Sequence, residues 1–222
     1  MTLIITFGFL FIIGLLLTPL MDPDLVVVEH YAGFTFTLLI GGFILSSMAF
    51  RDLHNNLKRY TYLTLPASTV EKFISMWLLT SVGWILLYLV FFTIYVPFAN
   101  SIGQIVFHDL TFLPFNPFGQ PVIKAIRFYF VLQGIFLAGA VHFKGYPFPK
   151  TLLALVLFGA VCSVIFYLIM KDMFEMELNS DLTVFMDKPV YKLYTALQWM
   201  FWWLLAPLCW VITYLGLKEQ EV

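Results

Sequence analysis

The chain has little charge. Of its 222 residues, 11% are Asp, Glu, Lys or Arg, where soluble domains carry about 25%. That shortage, beside 61% apolar residues, excludes an ordinary water-facing globule. Dense basic clusters are also missing, and the net charge is −1. Nucleic acid is therefore not an expected partner, since gripping phosphates needs a basic patch. Cysteine is scarce: Cys162 and Cys209 lie in apolar runs with no CxxC pair. This excludes a disulfide framework and a thiolate zinc site, and both read as small buried hydrophobes. The four histidines, His30, His54, His108 and His142, form no HExxH motif. Glu29-His30 and His108-Asp109 are adjacent pairs, but one imidazole with one carboxylate is a poor metal site. The chain has no Gly-x-Ser-x-Gly elbow and no GxxxxGK[ST] loop, so neither hydrolase chemistry nor nucleotide binding is expected of it. No cofactor is expected in this chain. No carboxylate lies in the middle of an apolar run, which argues against a proton relay.

What the sequence does have is long apolar runs. A bilayer core about 30 Å thick needs roughly 20 apolar residues at 1.5 Å each. Six stretches meet or approach that length: 1–20, 31–50, 73–98, 122–141, 151–170 and 194–217. The mean hydropathy is +0.92. The expected fold is one all-α, polytopic membrane domain over residues 1–222, with six transmembrane helices. The first run has no basic flank and no small-x-small cleavage site, so it reads as a retained span rather than a signal peptide.

Lys and Arg orient the spans. Arg51, Lys58, Arg59 and Lys72 fall in segment 51–72, Lys144 and Lys150 in 142–150, and Lys218 in the tail. The opposite side holds Lys171, Lys188 and Lys192 among five carboxylates in loop 171–193. Seven basic residues against three place both termini and segment 51–72 in the cytoplasm and loop 171–193 outside. Trp199, Trp202 and Trp203 begin the last span, at the headgroup depth that Trp prefers.

Lys124 and Arg127 stand apart. Only 14 residues separate Phe128 from Val141 inclusive, about 21 Å of helix, so the fourth span must include both charges. They lie three apart and share a helix face. Snorkelling to headgroups is the plain reading, and a cationic contribution to a substrate path the sharper one. Small residues at four-residue spacing, Gly42/Ser46, Gly134/Ala138 and Gly159/Ser163, suit close helix contact in a bundle or a dimer.

Segment 51–72 is the one long polar stretch between two spans. Leu53, Leu57 and Tyr60 fall at i, i+4 and i+7, the apolar stripe of a short helix lying on the membrane surface. Arg51, Asp52, Lys58 and Arg59 occupy its other faces. Pro66 stops that helix. Ser68 and Glu71 have capping-box spacing, which predicts a firm start to the third span.

The run LHNNLKRYTYLTLPASTVEKF resembles the segment between the second and third spans of bacterial ABC-2-type transporter permeases, in the branch carrying LPAS-x-x-EKF. GIFLAGAVHFKGYPFPKTLLAL, and the charged tail LGLKEQEV, match that branch too. The resemblance implies a six-span permease of the bacterial inner membrane, present as a homo- or heterodimer. Each copy would be driven by a separate ABC ATPase subunit. It implies a coupling helix formed by Asp52, Leu53, His54, Leu57, Lys58 and Arg59, braced by Pro66, Ser68, Glu71 and Lys72. It implies short re-entrant helices in 171–193, and an elbow helix ahead of the first span where this sequence begins in the span itself. Two other readings remain: an integral-membrane enzyme acting on lipid through His30 or His108, and a non-transporting membrane scaffold.

Overall fold

The computed structural model describes residues 27–54, 58, 60, 66–106, 111–174 and 189–221. The first apolar run lies outside them. In hydrocarbon every backbone polar group must be satisfied within its own segment, and a long apolar run achieves this as a helix. The fold is all-helical. Helix α1 is Tyr31–Met48 and leads into a 3₁₀ turn, Arg51–His54. Helix α2 is one run of three parts: α-helical Thr69–Leu78, a π-helical turn Leu79–Gly83, and α-helical Trp84–Val106. Helices α3, α4, α5 and α6 are Gln120–His142, Pro147–Phe174, Pro189–Trp203 and Leu205–Glu221. A two-residue parallel pairing joins β1, Val27–Val28, to β2, Thr111–Phe112.

Four of these helices are long and apolar enough to cross a bilayer, or five with the α5–α6 pair taken as one bent span. Several boundaries differ from the sequence expectation. Thr69–Ile105 is 37 residues, about 55 Å, where a span over 73–98 was expected. The cap at Ser68 starts the helix early, and Pro97 lies inside it without ending it. Loop 171–193 is narrower than expected, because α4 reaches Phe174 and α5 resumes at Pro189. The last span is not continuous. It bends by 43° between Thr195–Trp203 and Leu205–Gln220. Pro207 has no N–H for the Trp203 carbonyl, and its ring clashes with that carbonyl. The neighbouring bonds survive, Leu204 N to Met200 O at 2.9 Å and Leu208 N to Leu204 O at 3.0 Å.

The described residues divide into two compact units, one within Met1–Phe43 and Trp77–Phe130, the other within Ile44–Met76 and Val131–Val222. The first unit has an aromatic core. Phe34, Leu38, Tyr88, Phe92, Val96, Val122, Ala125 and Tyr129 are buried together. The Phe34 ring meets Phe92 edge-on at 5.1 Å, with Phe115 at 5.3 Å and Tyr88 at 5.4 Å. Such rings bury large areas, and their edges and faces attract. Their polar ends are satisfied: Tyr88 and Thr37 share a hydrogen bond, and Trp84 Nε1 donates to Leu38 O at 3.1 Å.

In the second unit, small residues set the helix contacts. Gly134 lets α6 approach: a β-carbon there would lie 3.2 Å from Cys209 Cβ. Gly139 leaves room for Thr151 of α4, whose methyl would touch a β-carbon at 3.0 Å. Phe136 stacks on Phe148 at 5.7 Å, and Gln220 Nε2 donates to Val141 O at 3.1 Å. The expected contact role of Gly134 is met. Gly159, by contrast, has nothing within 4 Å among the described residues. Only 6% of the α4 span is buried. Lipid tails are as apolar as leucine, so such exposure is tolerated in a bilayer.

Candidate coupling segment

The chain leaves α1 through Phe50 and Leu53, both buried, which anchor the 3₁₀ turn. Burying a leucine or phenylalanine side chain is worth about 1.5–3 kcal/mol, so this end of the segment is held. Arg51 and Asp52 point outward, and Asp52 pairs with Lys58 at 3.3 Å. The pair is more than half exposed on both sides, and such ion pairs contribute at most about 1 kcal/mol. Its effect is orientation more than stability. Tyr60 is helical but 77% exposed, so of the proposed stripe Leu53 faces inward and Tyr60 does not. Leu57 and Arg59 lie outside the described residues, as does the His54 side chain.

The second half of the segment is a helix cap. Pro66, Ala67 and Ser68 are exposed in a bend. Ser68 N donates to Glu71 Oε2 at 2.8 Å, and Glu71 N donates to Ser68 Oγ at 3.3 Å. Ser68 Oγ also donates to Glu71 Oε2 at 3.0 Å. This is the reciprocal capping box that the spacing predicted. Lys72 follows, only 7% exposed; its N–H donates to Ser68 O at 3.0 Å. Phe73 then meets Tyr214 of α6 edge-on at 6.3 Å. Ser68 thus caps a helix 37 residues long.

Lys124 and Arg127 occupy the first turns of α3, and both are exposed. Val122, Ala125 and Tyr129 of the same helix are buried. The two cations thus stand off the packed stripe. They belong to the first unit, and segment 51–72 to the second.

Two features escaped the sequence reading. His30 is buried and shares a 2.5 Å hydrogen bond with Asn100, whose Nδ2 donates to Leu113 O at 3.3 Å. Burial holds the imidazole pKa below its ordinary 6.5, and the Asn100 bond opposes that only in part. Its partner lies 70 positions away, so no local pattern announces it. The second feature is the π turn Leu79–Gly83, with Thr80 and Ser81 buried in it. Tyr129 donates its hydroxyl to Thr80 O at 2.5 Å. π turns recur at functional sites. Among the described residues, no three His, Cys, Asp or Glu side chains converge as a metal site. His108 and Asp109 lie outside the described residues.

No protein-family model, no curated protein and no solved structure matches this chain.

Proposed function

We propose that this chain is the membrane-spanning permease subunit of an ABC-2-type exporter, driven by a separate ATPase subunit that docks on segment 51–72. The supporting observation is the capping box of Ser68 and Glu71, which gives a 37-residue helix a firm start at the end of the charged segment 51–72. Arg51, Asp52, Lys58, Pro66 and Ser68 are exposed, and Leu53 and Lys72 are buried. ATP binding in the partner would close its two copies, push segment 51–72 and tilt the helices on either side of it. In this reading the first apolar run completes six spans, both termini are cytoplasmic, and two permease copies form the path in the bacterial inner membrane. Lys124 and Arg127, exposed on α3, are candidates for that path's lining.

The reading of a lipid-directed enzyme draws on His30, but that ring is buried and bonded to Asn100. The decisive experiment is co-purification and stimulated ATPase activity with a candidate ATPase. Lys58→Glu with Arg59→Glu is expected to abolish both without lowering expression. A double variant that couples normally would remove segment 51–72 as the docking site.

A further inference from the structure

The second unit contains an apolar groove of about 440 Å³ between α3, α4 and α6. Ile135, Ala138, Ala154, Phe158, Leu205 and Ile212 form its walls, and His142 and Thr151 stand at one end. The groove offers water almost nothing. Thr151 Oγ1 already donates to Pro147 O at 2.9 Å, and His142 Nδ1 is engaged with Ala138 O at 2.9 Å. A water needs two to four polar partners, so an apolar occupant is favoured. At ~30 Å³ per water-sized group the space takes on the order of fifteen such groups, comparable to a long hydrocarbon chain.

The end with His142 and Thr151 is also the basic end. Lys144 follows the groove residue Phe143, and Lys150 precedes Thr151. Gly145, with φ of +90°, makes the tight turn between them. Lys150 Nζ donates to Lys144 O at 2.5 Å, which fixes an ammonium on the turn. The last turns of α6 add the exposed pair Lys218 and Glu219, which offset one another. Ala154 and Phe158, the wall residues from α4, are exposed, so the groove is open along that helix. Basic pockets at helix ends attract anionic headgroups.

We infer that this groove holds one acyl chain of an anionic phospholipid, with the phosphate at the Lys144–Lys150 turn. The inference stands apart from the transport reading. The test is native mass spectrometry of the full chain released from detergent, titrated with phosphatidylglycerol or phosphatidylcholine of identical acyl chains. One phosphatidylglycerol is expected to be retained per chain, preferred about tenfold, on the order of what lysines near a headgroup supply. Lys144→Gln with Lys150→Gln, both exposed positions, should remove that preference. It should leave weak binding of either lipid. Ala154→Phe, which fills space at an exposed wall position, should reduce binding of both lipids. Equal retention of the two lipids by the unaltered chain would overturn the inference. So would unchanged lipid binding by Ala154→Phe. A dimer that lipid does not compete with, and that Ala154→Phe disrupts, would assign the groove to a second copy instead.

Discussion

The ring of Tyr129 fills the space in which a side chain at residue 42 would stand. A β-carbon on Gly42 would overlap that ring, while the Tyr129 hydroxyl reaches 2.5 Å to Thr80 O in the π turn. One side chain of α3 thus locks against the α1 backbone and an irregular carbonyl of α2. Phe43 stacks on the same ring at 6.0 Å. Gly42→Ala is therefore expected to destabilise the protein by about 1–3 kcal/mol, the usual cost of overpacking. Tyr129→Phe, which removes only the hydrogen bond, should cost about 0.5–1.5 kcal/mol. Thermal unfolding in detergent measures both. In a Tyr129→Leu background the Gly42→Ala penalty should shrink, because the overlapping ring is gone. Full additivity would contradict the contact.

Ser68→Ala should lower stability by about 0.5–2 kcal/mol, the range for losing an N-cap. Glu71→Gln should cost less, since glutamine also closes a capping box. Amide exchange at residues 69–72 is the direct readout. It should accelerate strongly in Ser68→Ala and little in Glu71→Gln. If segment 51–72 is the docking site, Ser68→Ala should also weaken stimulated ATPase activity more than ATPase binding.

The buried His30 gives stability a pH dependence with a definite sign. Its folded pKa lies below 6.5, so between the two values the unfolded chain binds a proton that the folded chain refuses. Stability is therefore fully present above about pH 6.5 and falls as pH drops toward the folded pKa, by at most about 1.4 kcal/mol per pH unit. Below the folded pKa the loss levels off. Melting temperatures at pH 8 and pH 5 test this. His30→Gln should flatten the difference, and a steeper fall in that variant would rule His30 out as the source.

Pro207→Ala restores a donor to the Trp203 carbonyl. The 43° bend between α5 and α6 should fall below about 20°, above which helix kinks have a local cause such as proline. A structure of the variant in lipid nanodiscs reads this directly. A bend that persists would place its cause in packing.

While α5 and α6 read as one unbroken span, helices α1 to α4 were largely legible from the sequence, because a run of about 20 apolar residues is a local property. So was the start of α2: Ser68 and Glu71 are three residues apart and need no distant partner. The Pro207 bend was open to the same reading, since proline acts on a carbonyl four residues back. Segment 51–72 was legible as polar, basic and capped, but which of its stripe residues turns inward was not. Leu53 and Tyr60 share a sequence pattern, yet Leu53 is buried and Tyr60 is largely exposed.

The sequence by itself determined that the chain is helical and bilayer-compatible, and where its charged segments lie, because composition and short spacings act without regard to the rest of the fold. Only the tertiary structure decided that Tyr129 meets Gly42 and Thr80, that His30 is buried against Asn100, and that α3, α4 and α6 leave an apolar groove beside a basic turn. Those outcomes depend on which helices meet and at what height. Distances between groups tens of residues apart are fixed by packing and not by local periodicity.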